Sequence, residues 1–292
     1  MNNKLVSVVI TTYHGCDTIA RAIESVIKQT YKNIEIIVVD DNGLGSDDQI
    51  MTQKIVERYS GVVYIPHKVN INGSAARNTG IKAARGYFIE LLDDDDEFLP
   101  EKTEKQVTKM IKSGAHVCYT GLKVVFQSGV TRDVISRSEG NIFSDIILRR
   151  VEAPTSVLMF TRDAAIRINC FDDSFRRHQD WEFLDRLSYK NNIVCVGEIC
   201  LIRHIVDRNV AKNMKQYVEQ RMYYLKKQEP YISKLSTENQ KEFYYNHYSE
   251  IMRNYVKSRE FISAIKWFFK AGQPLRLISE SINKYIGYIR RL

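Results

Sequence analysis

The 292-residue chain holds no CxxC pair, and its five cysteines (Cys16, Cys118, Cys170, Cys195 and Cys200) are scattered. That spacing excludes a zinc ribbon and a disulfide framework, and it fits reduced thiols in a cytosolic protein. No run reaches the eighteen or more apolar residues of a membrane-spanning helix. There is no GxxxxGK[ST], so a P-loop nucleoside triphosphatase is excluded. Gly43-x-Gly45 follows the second strand-like run rather than the first and lacks a third glycine, which argues against a dinucleotide-dependent dehydrogenase. No internal repeat or low-complexity linker is visible. Met1-Asn2-Asn3-Lys4 leads straight into a strand-like run, so no signal peptide is expected.

What is present is uneven in charge. The formal net charge is +8, yet from Asp207 onward 17 Lys and Arg face 8 Asp and Glu, a local +9 that leaves the first 206 residues at −1. A basic tail on a neutral body points to an anionic partner, lipid or nucleic acid.

Val6–Ile10 is β-branched and apolar and reads as a buried strand. Ile19, Ala22, Ile23, Val26 and Ile27 recur at helical spacing, with Asp17 expected as N-cap. Ile34–Val39 is a second strand ending in Asp40-Asp41, Gln49–Tyr59 a helix, Val62–Ile65 a strand, Ser74–Ala84 a helix and Tyr87–Leu92 a fourth strand. Strand–helix alternation predicts a mostly parallel sheet with helices on both faces, and in such sheets ligands bind at the carboxyl ends of the strands. Three of those ends are polar: Thr11 and Tyr13, Asp40 and Asp41, and Asp93 to Asp96. Four consecutive aspartates repel one another, so a cation holding a phosphorylated ligand, or plain solvation, must answer them.

After Pro100 the pattern becomes mixed α+β. Glu101–Ser113 reads as an exposed amphipathic helix. His116–Phe126 and Val130–Ile135 read as strands, Ile142–Arg149 as a short helix, Ser156–Phe160 as a strand and Arg162–Ile168 as a helix. His178 opens a helix to about Lys190, and Ile193–Val196 and Ile199–His204 read as two short strands. From Asp207 the chain reads as all helical and rich in tyrosine. Intramolecular packing is the first reading of those tyrosines. Membrane docking through the face formed by Ile278, Ile282, Tyr285, Ile286 and Ile289 comes second, and nucleic-acid stacking last.

Six stretches occur in an order that resembles the family 2 glycosyltransferases, whose fold is called GT-A. They are Ser7–Tyr13; Ser25-Val26 with Gln29-Thr30-Tyr31; Glu35–Asp41; Ala75-Ala76-Arg77-Asn78 with Gly80; Gly86–Ile89; and Leu92–Asp96. The resemblance covers about residues 5–205 and implies a GT-A domain over 1–206. Residues 1–98 would bind a nucleotide-diphospho-sugar, UDP-linked by preference, and 99–206 would face the acceptor; 207–292 would form a helical extension. It implies inverting transfer to a hydroxyl of a glycan or lipid-linked glycan in surface polysaccharide synthesis, with Mn²⁺ or Mg²⁺ as cofactor. It further implies a cytoplasmic protein, peripheral at the inner membrane face.

Residue by residue, Asp93-Asp94-Asp95 matches the family's Asp-x-Asp motif. Asp93 and Asp94 fall on the donor side and Asp95 is the metal ligand, while Asp96 is read as structural. Thr11, Tyr13, Asp41 and Arg77 match donor contacts; Tyr13 could equally pack its loop, and Arg77 could pair with the acidic run. Asp40 is read as a strand-end cap. Asp180, in Gln179-Asp180-Trp181-Glu182, matches the general base, although an N-cap role is the alternative and Gln179 stands where a glutamate is common. His204 matches a histidine that completes the metal or diphosphate site, against a structural alternative. His178 is placed on the acceptor side, and Trp181 is left between sugar stacking and packing. Two other readings are a nucleotidyltransferase, for which no glycine-rich signature loop follows the first strand, and a non-catalytic protein that binds nucleotides or anionic surfaces.

Overall fold

The structure is a computed structural model that describes residues 3–205, 213–272 and 276. It divides into two units, Met1–Asp207 and Arg208–Leu292.

The first unit is built on a nine-stranded sheet. Strands β1 (Val6–Thr12), β2 (Ile34–Asp40), β3 (Val62–Pro66) and β4 (Phe88–Asp93) pair in the parallel order β3-β2-β1-β4. Val6, Val8, Val9 and Ile10 have no exposure, as expected where helices cover both faces of a parallel sheet. The covering helices are α1 (Ile19–Ile27), α2 (Asp47–Val56) and α3 (Gly73–Ala83). Helix α3 approaches β1 so closely that a Cβ on Gly80 would lie 2.1 Å from Val9 Cγ1. Only glycine permits that contact.

Beyond β4 the sheet turns mixed. It continues through β8 (Leu158–Thr161), β6 (Val117–Phe126), β9 (Ile193–Ile205) and β5 (Asp96–Phe98), with β7 (Thr131–Val134) paired on β6. The β4–β8, β8–β6, β6–β7 and β5–β9 pairs are antiparallel, and β6–β9 is parallel. The expected parallel arrangement therefore holds for the first four strands and gives way to a mixed sheet after them. Helices α4 (Lys102–Ser113), α5 (Phe143–Ile147), α6 (Arg162–Arg167) and α7 (Gln179–Lys190) complete this unit.

Three local expectations change. The N-cap of α1 is Thr18, without a side-chain cap bond, not Asp17. The two strands expected around Gly197 are one, β9, whose register on β6 shifts beside Gly121. Helix α4 is not simply exposed, because it buries Lys102, Thr103, Gln106, Val107 and Met110. Lys102 Nζ lies 2.7 Å from Glu90 Oε1, both side chains wholly buried, and Thr103 Oγ1 donates to Glu90 Oε2 at 2.7 Å. A carboxylate in mid-strand is tolerated because each of its oxygens is bonded.

The second unit holds α8 (Met214–Ile232), α9 (Thr237–Lys257) and α10 (Phe261–Lys270). Asn213 and Ser236 cap α8 and α9 through their side-chain oxygens. Met214, Tyr217, Tyr245, Ile251, Met252, Ala264, Trp267 and Ala271 form its core. Tyr224 is wholly buried as well, so these tyrosines pack inside the unit. The apolar face expected from Ile278 to Ile289 lies outside the described residues. Among the described residues, no helix is long and apolar enough to cross a membrane.

Candidate active site

The register of the parallel strands brings three polar ends to one edge: Thr12 pairs with Asp40, Asp40 with Pro66, and Thr11 with Asp93. Each residue there has a definite place. Asp40 is buried; it accepts from Asn42 N at 2.8 Å and from the Tyr64 hydroxyl at 2.6 Å, which is the turning role expected of it. Burial pushes its carboxyl above the ordinary value. Asp41 is also buried and spends its carboxylate inside the protein. Oδ1 lies 2.7 Å from His67 Nδ1 and accepts from Ile71 N at 3.0 Å, while Oδ2 accepts from Asn70 Nδ2 at 2.9 Å. Asp41 thus fastens the loop that leads into α3. The Tyr13 ring is 53% exposed, so it is not packed into the core; its nearest ring is His14 at 4.0 Å.

The aspartate run splits into unlike members. Asp94 sits over Gly15, where a Cβ would fall 1.7 Å from Asp94 Oδ2, so a side chain at 15 would displace the Asp94 carboxylate. Burial, with Asp95 and Asp93 on either side, pushes Asp94 up to about 6. Asp96 is almost wholly buried, and burial with the Asp93 charge pushes it up to about 8. Asp93 Oδ1 is held by Arg77 Nη2 at 2.7 Å. Arg77 is itself buried, and its Nε and Nη1 make no hydrogen bond among the described residues.

Asp96 pairs with Arg203 across β5 and β9, and continuing that register by one residue sets Asp95 opposite His204. His204 Nε2 is shielded from solvent and makes no hydrogen bond among the described residues; Glu97 Oε2 lies 3.8 Å away. Burial and the Arg21 guanidinium push the imidazole below its ordinary value, against the opposing pull of Glu97 and Asp95. A neutral imidazole is the form that binds a cation. Among the described residues, no three His, Cys, Asp or Glu gather into a metal cage. The donors at hand are a carboxylate and a shielded ring nitrogen. They fit a cation that takes the rest of its shell from phosphate oxygens and water, as Mg²⁺ commonly does.

Helix α7 carries the remaining machinery. Its N-cap is His178, in the left-handed region at φ 62°, with no side-chain cap bond. Asp180 therefore does not cap the helix. It lies in the first turn, half-exposed, with no hydrogen bond or ion pair among the described residues. The Trp181 ring stacks on His178 at 4.5 Å and lies under the Arg149 guanidinium at 4.6 Å. Packing takes that ring, and His178 is buried beside it rather than open to an acceptor. Arg149 in turn grips Asp185 of α7 through two bonds, 2.9 and 2.8 Å long. Gln179 Nε2 lies 2.7 Å from where a Cβ of Gly73 would be, with Arg77 Nη1 3.2 Å from the same point. The start of α7 thus abuts the start of α3, and α3 joins Asp93 to the neighbourhood of Asp180.

Sequence reading missed Arg21, whose Nη2 donates to the Asp95 carbonyl at 2.8 Å. It also missed His67, Asn70 and Gly15, and it quoted Asn78 only as part of a motif, without a role. The polar cluster Asn70-Ile71-Asn72-Gly73 just before a helix was the signal available for the loop.

The family model described as Glycosyl transferase family 2 matches residues 7–203. An uncharacterized glycosyltransferase of Rickettsia felis is 30% identical over 244 residues, covering 81% of this chain and 39% of that protein. The chain thus spans about two fifths of that relative's length. The Escherichia coli protein named UDP-Glc:alpha-D-GlcNAc-diphosphoundecaprenol beta-1,3-glucosyltransferase WfgD is 27% identical over 215 residues, 73% of this chain and 82% of that one. Among solved structures, Staphylococcus aureus TarS 1-349 in complex with UDP-GlcNAc superposes with a TM-score of 0.61 at 15% identity, covering 96% of this chain and 92% of that one. That likeness is one of fold, and the fold is GT-A.

Proposed function

The chain belongs to glycosyl transferase family 2, and from that premise we propose that it moves a sugar from a UDP-linked donor to a hydroxyl of a glycan or lipid-linked glycan in surface polysaccharide synthesis, with inversion at the anomeric carbon. The observation that carries this reading is Arg77: a buried guanidinium that pays out one nitrogen to Asp93 and keeps Nε and Nη1 without acceptors beside the start of α7. Donors so placed suit the oxygens of a diphosphate, because charge-assisted hydrogen bonds are the strong ones. The WfgD name, which includes UDP-Glc, and the UDP-GlcNAc bound in the TarS structure favour the same donor class.

In this reading residues 1–206 do the chemistry, with 1–98 taking the donor and 99–206 the acceptor, while 207–292 stands outside it. Thr11 and Tyr13 line the nucleoside side, and the exposed Tyr13 ring is the one positioned to cover a base. Asp41 acts by fixing the 67–71 loop. Asp93 and Asp94 bound the ribose and diphosphate, with Arg77 on the phosphates. Asp95 and His204 would hold a divalent ion, Mn²⁺ or Mg²⁺, which supplies Lewis-acid neutralisation of the leaving diphosphate when bound. Asp180 takes the proton from the acceptor hydroxyl as its oxygen attacks the face opposite the diphosphate. A base needs an accessible carboxylate within reach, and Asp180 has no competing partner among the described residues. The acceptor class favours a cytoplasmic place at the membrane surface.

Asp180→Asn is expected to lower kcat by about 10²–10⁴-fold while the affinity for UDP holds. Turnover within a factor of a few of the unaltered enzyme would remove Asp180 as the base.

A further inference from the structure

Helix α10 presents an apolar face that the unit does not use. Phe261, Ile262, Ile265 and Phe269 are 60%, 89%, 57% and 70% exposed, whereas Ala264 and Trp267 on the other side are buried in the unit's core. At about 100° per residue, the four exposed side chains fall within an arc of roughly 100°, and Lys266 and Lys270 follow along one edge of it. A contiguous exposed stripe of two phenylalanines and two isoleucines marks an interaction site.

The charge around the stripe says what kind. Lys257 and Arg259 are exposed just before the helix and Lys266 is exposed on it, while Lys270 Nζ lies over the Trp267 and Tyr248 rings; Glu260 is the one acidic residue between positions 256 and 272. An apolar stripe rimmed by cations is complementary to a surface that is apolar below and anionic above, which describes a bilayer with acidic headgroups. A protein partner matching the stripe alone would not call for the cations. At ten residues α10 is about 15 Å long, half the thickness of a hydrocarbon core, so it can lie on a membrane but not cross one.

We propose that α10 is a membrane-docking helix, which lays Phe261, Ile262, Ile265 and Phe269 into the headgroup–acyl boundary of an anionic bilayer with Lys257, Arg259 and Lys266 toward the phosphates. This goes beyond the proposed transfer reaction and does not depend on it, since partition onto a membrane is measured without donor or acceptor.

The full chain is sedimented with vesicles of phosphatidylcholine alone and of phosphatidylcholine and phosphatidylglycerol in equal parts. Strong partition onto the anionic vesicles is expected, falling with added salt. Ile262→Ser combined with Phe269→Ser removes side chains that are already in water, so folding is kept, as an unchanged Tm will show; partition is expected to fall at least about tenfold, ~1.4 kcal/mol. Lys257→Glu with Lys266→Glu is expected to erase the preference for phosphatidylglycerol. Undiminished partition of the serine pair overturns the proposal, and so does a wild-type chain that ignores both kinds of vesicle. Self-association in solution that the serine pair abolishes, without vesicle binding by either protein, assigns the face to a second copy and also overturns it. UDP affinity measured without vesicles on the same variants is expected to be unchanged, so failure of docking and failure of the transferase reading are told apart.

Discussion

The side chain of Asn78 and the backbone of Phe171 exchange two hydrogen bonds, each 2.9 Å long: Asn78 Nδ2 donates to the Phe171 carbonyl, and Phe171 N donates to Asn78 Oδ1. The same Nδ2 donates to Asp173 Oδ1 at 2.7 Å. One residue earlier on α3, Arg77 holds Asp93; one residue later, the Thr79 hydroxyl meets His67 Nε2 at 2.9 Å. Three consecutive side chains therefore tie the aspartate run, the loop before α7 and the loop fastened by Asp41 to one helix. Asn78→Leu keeps the volume but strands the buried Phe171 N–H and C=O. It is expected to cost about 2–6 kcal/mol, at about 1–3 kcal/mol per unsatisfied group. Urea unfolding measures it, and a loss under 1 kcal/mol would mean that the loop repacks onto other partners.

Arg77→Met tests the phosphate assignment. Removing hydrogen bonds to a charged ligand, worth about 1.5–3 kcal/mol, corresponds to a loss of roughly 10- to 100-fold in UDP affinity. Uridine has no diphosphate, so its weaker affinity is expected to stay put. Calorimetry on both ligands separates the outcomes: equal losses would show that Arg77 shapes the pocket through Asp93 instead of meeting phosphate.

Asp95→Ala tests the cation. Chelation is expected to weaken UDP binding to the unaltered protein, and Mn²⁺ to restore it. In the Asp95→Ala protein, UDP affinity is expected to be low and indifferent to Mn²⁺ if Asp95 is the ligand proposed for the ion. A variant that still gains affinity from Mn²⁺ would move the ion away from Asp95.

The first four strands were readable because a parallel sheet covered on both faces shows as continuous apolar runs, and their polar ends mark the binding edge without further information. The second half was less legible for reasons that lie in distance along the chain. Gly197 and Glu198 look like a break between two strands, and only pairing with β6 reveals one strand with a register shift. Lys102 reads as a surface lysine until Glu90 appears beside it, twelve residues away and equally buried. Trp181 could have stacked on a sugar; the Arg149 that lies over it comes from α5's far end, more than thirty residues earlier. Asp41 carries the motif of a donor contact, yet the partners that occupy its carboxylate lie at 67, 70 and 71. Motif residues were found; which of them touch ligand and which hold the others in place is a matter of packing.

Glu35 gives a prediction about acid stability far from the chemistry. Burial alone would raise its carboxyl, but the Ser7 hydroxyl and the backbone and side chain of Arg85 hold it below the ordinary value. Ser7 Oγ donates to Oε1 at 2.5 Å, and Arg85 N and Nε donate to Oε1 and Oε2 at 2.7 and 2.8 Å. Gly86 N donates to the same Ser7 oxygen at 2.8 Å, so the cluster locks β1 and β2 to the turn before β4. A carboxyl lowered in the folded state binds its proton more readily when unfolded. Its stabilisation is complete above the unfolded value of about 4.3 and is lost as pH falls through the lower folded value. Glu35→Gln removes the charge and is expected to cost about 1–2 kcal/mol at pH 7, the scale of charge-assisted bonds. The gap in Tm between the two proteins is expected to stay constant from neutral pH down to about 5 and to close below about 4, where the wild-type carboxylate takes up its proton. A gap that persists unchanged at the lowest pH would place the stabilisation in shape and hydrogen-bond geometry rather than in the charge of Glu35.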